Sequence, residues 1–166
     1  MHSAASKEGR QPMRMINRFS AALMVLSVLS GCASGSAHDS LSNRVSRLVD
    51  EATMSTRSQE KALSELGRLG EPAVPYLVGH LGDMRPLARS EISLTNSALN
   101  SFEGLRHYSP DTVHDALAAI LNQITGQNFV FVYNGATHQN REENRDKWAE
   151  WCHSTYPDQA EVCGGK

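Results

Sequence analysis

The side chains with the most distinctive chemistry in this 166-residue sequence are its three cysteines, Cys32, Cys152 and Cys163. Cysteine reacts as the thiolate, which is a strong nucleophile and a metal ligand. Cys32 lies just after an uncharged, largely apolar run, Phe19–Ser30. This run fits the apolar core of a secretory signal, about 7–15 residues, and is shorter than the roughly 20 residues of a membrane-spanning helix. Because Arg14 and Arg18 precede the run, the sequence predicts an N-terminal export signal that ends close to Cys32.

The residues directly before Cys32 resemble the lipobox of bacterial lipoproteins, in which an aliphatic residue and two small residues precede a cysteine. Here the motif reads Leu29-Ser30-Gly31-Cys32. The resemblance implies cleavage before Cys32, attachment of a diacylglycerol to its thiol and acylation of its new amino group with a fatty acid such as palmitate. In that family an Asp after the cysteine retains the protein at the inner membrane. Ala33 therefore implies an outer-membrane lipoprotein that faces the periplasm.

Two other interpretations of this segment stay open. One is plain secretion with cleavage after Ala33 or Ala37, and the other is a short core helix that contains a cysteine by chance. On the lipoprotein interpretation the chain divides into four parts. They are residues 1–31 as the signal peptide (with 1–12 as an upstream mis-start), 32–40 as the lipidated cysteine and a flexible tether, 41–156 as a HEAT-like helical domain, and 157–166 as a C-terminal tail.

A lipid on Cys32 would leave Cys152 and Cys163 as the remaining thiols. The periplasm is oxidising and favours disulfides, so we expect these two residues to pair. Two free thiols are the alternative. The sequence contains no CxxC motif and no cysteine–histidine cluster at zinc spacing, so it predicts no metal site.

The charge of the chain argues against binding to nucleic acid, which requires a basic face. The formal net charge is −2 for the whole sequence. Removing the basic segment before Cys32 makes the remainder more acidic still. Since no later stretch is apolar enough to span a bilayer, contact with a membrane is expected through the N-terminal lipid.

Apolar residues recur at helical spacing over most of the mature chain, which predicts an all-α fold. The predicted helices cover residues 41–54, 58–69, 72–82, 86–94, 110–125 and 140–153, and residues 95–108 are predicted as helix or loop. Phe129–Tyr133 is rich in β-branched and aromatic residues, which favours a short strand or an extended connector. No convincing second strand accompanies it, so we expect no sheet.

The segment Ser58–Asp83 resembles a HEAT-like repeat through its motif Leu66–Leu77, which reads LGRLGEPAVPYL. The resemblance implies an antiparallel helical hairpin with its turn at Gly-Glu-Pro. Because no second unit follows at a fixed period, a long solenoid is excluded. The stretch Ile124–Phe129, followed by Trp148 and Trp151, is similar to a closing segment of bacterial HEAT-like proteins. That similarity implies that the tryptophan pair caps the helical stack, and an aromatic binding anchor is the alternative.

The remaining residues carry no catalytic pattern. The seven histidines are scattered, and neither HExxH, GxSxG nor a glycine-rich phosphate loop occurs. The sequence therefore predicts no enzyme activity and no cofactor.

Four residues are predicted as a partner surface. Arg85 and Arg89 would share one side of a helix and bind an anion, while Phe131 and Tyr133 would offer a strand edge. The predicted function is a lipid-anchored interaction module of the cell envelope that binds a protein partner through helical surfaces. The alternatives are a structural or cell-wall-associated lipoprotein and an accessory subunit of an envelope enzyme.

Overall fold

The computed structural model of the protein describes residues 33–96, 102–132 and 135–164. These residues form mostly helices together with a small antiparallel sheet. In chain order the elements are α1 (Ala33–Glu51), α2 (Thr56–Leu69), a 3-10 turn (Glu71–Ala73), α3 (Val74–Gly79), β1 (Ile92–Thr95), β2 (Leu105–Tyr108), α4 (Val113–Thr125), α5 (His138–Thr155) and a C-terminal 3-10 segment (Pro157–Val162). The predicted signal segment 1–31, Cys32 and Tyr133 lie outside the described residues. No helix within the described ranges is long and apolar enough to cross a bilayer.

Helix α1 begins earlier than the predicted start at Leu41 and includes the residues that we predicted as a flexible tether. Alanines at positions 33 and 37 favour a helix there. The ring of His38 lies 2.7 Å from the hydroxyl of Tyr76, which ties the early turns of α1 to α3. The apolar face of α1 is buried as the spacing predicts, through Val45, Leu48, Val49 and Ala52.

Helix α2 forms where the sequence predicts an amphipathic helix, and local signals set both of its ends. At the start, the Ser55 side chain accepts a hydrogen bond of 3.2 Å from the Ser58 N–H and caps the helix. At the end, Gly70 has φ +66°, a conformation that favours glycine. The buried residues of α2 are Gln59, Ala62, Leu63 and Leu66.

Helix α3 is shorter than the predicted helix over residues 72–82. Its expected first turn is the separate 3-10 turn, and it ends at Gly79. A Cβ atom on Gly79 would lie 2.5 Å from the carbonyl oxygen of Val162. The backbones of α3 and of the C-terminal segment therefore meet directly, with no side chain between them.

This close approach predicts opposite effects for two glycine-to-alanine substitutions. Gly79→Ala should lower the free energy of unfolding by about 1–3 kcal/mol, because the added methyl group overpacks the contact with Val162. Gly67→Ala is the matched control in α2, where nothing lies within 4 Å of the added Cβ. It should raise stability by roughly 0.5–1 kcal/mol, because alanine favours the helix. Urea denaturation of both variants measures the difference, and equal effects would contradict the placement of Gly79.

Residues 82–112 differ most from the sequence-based expectation. The predicted helix over 86–94 is wrong, and so is the expectation of no sheet. β1 pairs antiparallel with β2, with Ile92 opposite Tyr108 and Thr95 opposite Leu105. Alternate residues of β1 are buried, which is the pattern of a strand with one face on the core. Upstream of β1, Pro86 forms an isolated bridge with Thr112, so this stretch runs beside the start of α4.

Helix α4 is buried at every position from Val113 to Leu121. It begins at Val113 rather than at the predicted residue 110, because its N-cap Thr112 forms a reciprocal capping box with Asp115. Gly126 ends the helix in the left-handed conformation, as predicted. α4 contacts α2, α3, α5 and β1, so it lies at the centre of the helical core.

The segment 129–133 was predicted as a short strand or an extended connector. Its described part, residues 129–132, is an irregular connector and contains no strand. Phe129 packs edge-on against Trp148 of α5, with ring centroids 4.9 Å apart. Trp148 is 1% exposed and Trp151 is half-buried beside it. At the end of α5, the buried residues Cys152 and Cys163 lie at disulfide distance, with 5.7 Å between their Cα atoms. The expected cysteine pairing agrees with this placement.

Candidate functional site

A concave groove of about 690 Å³ lies between α2 and the β1–β2 hairpin, and we call it the hairpin groove. Apolar side chains and polar or charged side chains both contribute to its surface. The residues that line it are Glu60, Leu63, Arg89, Glu91, Ile92, Ser93, Leu105, His107, Tyr108 and Ser109. A concave surface of this size with a few polar groups is typical of a binding site.

Gln59 positions the segment that leads into the groove. Its side chain is only 1% exposed, yet it is fully hydrogen-bonded to the backbone of Arg89. The Gln59 amide donates to the Arg89 carbonyl at 2.6 Å, and its oxygen accepts from the Arg89 N–H at 2.8 Å. Because a buried amide is costly without partners, this paired contact fixes residue 89 against α2.

The charged rim of the groove carries one arginine between two glutamates. The Arg89 guanidinium lies 3.1 Å from the carboxylate of Glu91 and 3.6 Å from that of Glu60. All three side chains are about half exposed or more, so these ion pairs contribute little to stability. The rim carries two carboxylates and one guanidinium, so a cationic group of a ligand can take the place of the Arg89 guanidinium in these ion pairs.

Ser93 and His107 add a polar pair on the exposed face of the hairpin. They are direct cross-strand partners, and the Ser93 hydroxyl lies 2.9 Å from Nδ1 of His107. Within the described residues no carboxylate hydrogen-bonds this ring, so the pair lacks the third group that orients a catalytic histidine. The pair is suited to exchange hydrogen bonds with a ligand.

The residues predicted as a partner surface do not form one cluster. Arg85 and Arg89 do not share a helix face, because residues 85–89 are irregular. Arg85 is engaged by Asp83 at 2.6 Å and by Asp50 at 2.9 Å, and hydrogen bonds to these carboxylates raise its pKa above its ordinary value. Phe131 packs edge-on against Tyr108, with centroids 6.0 Å apart. Of the three that the structure describes, Arg85, Arg89 and Phe131, Arg89 alone lines the hairpin groove.

A second group of polar residues lies at the junction of α4 and α5. Asp115 accepts hydrogen bonds of 2.8 Å from both the Nε and a terminal nitrogen of Arg141. Burial raises the pKa of the Asp115 carboxyl, but hydrogen bonds and attraction from Arg141 outweigh it and leave the pKa lowered. Next to Asp115, His114 is 1% exposed. Burial lowers the pKa of its ring to about 4.

Sequence reasoning missed the groove residues Glu60, Ser93 and His107, because nothing in the local pattern joins α2 to a hairpin. It also missed Gln59. A signal for Gln59 was present, since this polar residue falls on the apolar stripe that contains Leu63 and Leu66. A polar residue on a buried face indicates a specific hydrogen-bond partner.

Comparison of the chain with protein-family models, with curated proteins and with solved structures finds no match.

Proposed function

We propose that this protein is a lipid-anchored interaction module of the cell envelope, held at the outer membrane through Cys32 and facing the periplasm. The module binds a protein partner and performs no catalysis. The observation that carries this proposal is the hairpin groove, which combines an apolar floor, a charged rim and exposed hydrogen-bonding groups. Such a surface suits the recognition of a partner.

The HEAT-like hairpin belongs to the same proposal. Its support is the motif Leu66–Leu77 together with the way α2 and α3 follow each other through the tight turn after Gly70. Both helices pack against α4. Proteins of this kind bind partners over the surfaces of stacked helices.

The anchor predicts a clear result for Cys32→Ser. The variant should lose incorporation of labelled palmitate and should no longer be processed before residue 32, because serine has no thiol to carry the diacylglycerol. Ser30→Ala is the matched control, since it keeps a small residue at the cleavage site and should retain both labelling and processing. If Cys32→Ser is exported, cleaved and released like the wild type, the anchor is refuted.

The groove predicts that partner capture depends on its charge. The double variant Glu60→Lys/Glu91→Lys should lose capture of the envelope partner, because it places three cations on the rim. Lys147→Glu on α5 changes an exposed charge outside the groove and should retain capture. Affinity purification from solubilised envelopes with quantitative mass spectrometry compares the three proteins. Equal recovery of the partner with both variants would show that the groove does not bind it.

A further inference from the structure

We propose that His114 is an acid-sensitive latch that fastens residues 82–89, here called the strap, and that acidification releases the strap while the helical core stays folded. The latch itself requires no ligand. Its consequence for partner binding rests on the proposed function of the hairpin groove, because the strap ends at Arg89, a residue of that groove.

The strap is held along its length by backbone contacts with the start of α4. The His114 N–H donates to the Asp83 carbonyl at 2.9 Å, and the Val113 N–H donates to the Arg85 carbonyl at 3.0 Å. The strap then reaches Gln59, which fixes Arg89. The position of the groove rim is thus set by contacts that begin at His114.

The imidazole of His114 accepts the first hydrogen bond of the strap. The Gly82 N–H donates to Nδ1 of His114 at 3.1 Å, so this nitrogen must be unprotonated and the neutral ring carries its proton on Nε2. A proton added to Nδ1 would face the Gly82 N–H and abolish the hydrogen bond. Two donors would then face each other at this partly buried contact, so protonation of the ring disfavours the closed strap.

The surroundings of the ring favour its neutral form when the strap is closed. The ring is buried, and burial is the main cause of its low pKa. Asp115 on α4 opposes this by attraction and Asn144 on α5 opposes it by a side-chain hydrogen bond, whereas Arg141 and Arg145 on α5 reinforce it by repulsion. On the strap side, Asp83 is paired with Arg85. The carboxyl groups of Asp83 and Asp115 both have lowered pKa values, so they stay charged through the range in which the histidine responds.

A small cavity lies beside the ring and can hold water that exchanges protons with it. It has a volume of about 10 Å³, close to that needed by one water molecule, and His114, Asp115, Arg141 and Asn144 contribute to its wall. The Oδ1 atom of Asn144 is buried and is the acceptor on this side chain that can pair with the ring. The amide nitrogen of Asn144 is engaged by the Phe129 carbonyl. The cavity therefore contains a polar acceptor close to the titrating ring.

The expected response follows from proton linkage. A histidine whose pKa is about 6.5 in the released strap and about 4 in the closed strap binds more protons when released. The opening equilibrium constant should therefore rise about tenfold per pH unit as the pH falls from 6.5 to 4, or about 300-fold in all. Above pH 6.5 the latch contributes its full stabilisation.

The test is amide hydrogen exchange of the wild-type protein by NMR between pH 7 and pH 4.5, with ring titrations of each histidine. Protection factors of Gly82 and Arg89 should fall about tenfold per pH unit, whereas those of Leu117 and Ile120 in α4 should hold. The ring of His114 should titrate well below 6.5. Strap protection that does not change with pH, parallel loss in the core, or a His114 ring that titrates at 6.5 would each overturn the proposal.

Two variants assign the effect to the right histidine. His114→Asn keeps an acceptor oxygen near the position of Nδ1 but cannot titrate, so its strap should show no pH dependence. His80→Asn is the control, because burial also lowers the pKa of the partly buried His80, and its loss should leave the response intact. If His114→Asn fails to fold, the titration of the His114 ring in the wild-type protein still tests the proposal. Because exchange is measured without a partner, failure of the latch is distinguishable from failure of the groove as a binding site.

Discussion

Replacing Trp148 by alanine should strongly destabilise the domain. The side chain is 1% exposed and lies edge-on to Phe129 and Trp151, at centroid distances of 4.9 and 5.4 Å. Removing a buried tryptophan costs about 3–5 kcal/mol through lost burial and the cavity that remains. Domains are stable by only about 5–15 kcal/mol, so the variant should lose a large part of its stability, and it should unfold if the wild type lies near the lower end of that range. Thermal denaturation followed by circular dichroism measures this.

Trp151→Ala is the matched control for that experiment. Trp151 lies on the same face of α5 but is only half-buried, so truncation should leave a folded domain with a reduced melting temperature. The comparison also decides between the two interpretations of the tryptophan pair. If Trp148→Ala melts like the wild type and instead loses partner binding, Trp148 is a binding anchor rather than part of the core.

Asp115→Ala should be the next most damaging single substitution. Asp115 is 7% exposed and serves two contacts at once, as the capping-box residue of α4 and as the ion-pair partner of Arg141. Its removal leaves the guanidinium of Arg141, which is 13% exposed, without its main carboxylate. Breaking such a pair from one side costs about 3–5 kcal/mol when it is buried. Equilibrium unfolding in urea should therefore show a large fall in the midpoint.

Asp111→Ala tests whether burial causes this effect. Asp111 contacts the same nitrogen of Arg141, at 3.4 Å, but its side chain is 60% exposed. An exposed ion pair is worth roughly 0–1 kcal/mol, so this variant should unfold close to the wild type. Similar losses of stability in the two variants would show that charge alone, and not the buried geometry of Asp115, holds α4 against α5.

The sequence predicted well those elements whose cause is local. α2 and α4 follow from apolar residues at helical spacing, and Gly126 ends α4 because a left-handed residue is needed there. The start of α4 was predicted at residue 110 and lies at Val113, although the pair Thr112 and Asp115 has the spacing of a capping box.

The hairpin could not be predicted in the same way, because its causes are distant in sequence. The strap before β1 is fixed by Gln59, which is 30 residues upstream, and by the start of α4. Its own pattern of apolar residues is too weak to favour strand over helix. The hairpin groove depends on this arrangement, so Arg89 was identified as a surface residue but its neighbours Glu60 and His107 were not.

Site-specific photocrosslinking in intact cells tests the central claim, that the hairpin groove of this lipid-anchored module binds a protein partner. A photoreactive residue at Ser93, which lies in the groove, is compared with one at Lys147, which is exposed on α5 outside it. The account predicts one discrete protein adduct of defined mass from position 93 and none from position 147. No protein adduct from position 93, or the same adducts from both positions, would contradict it.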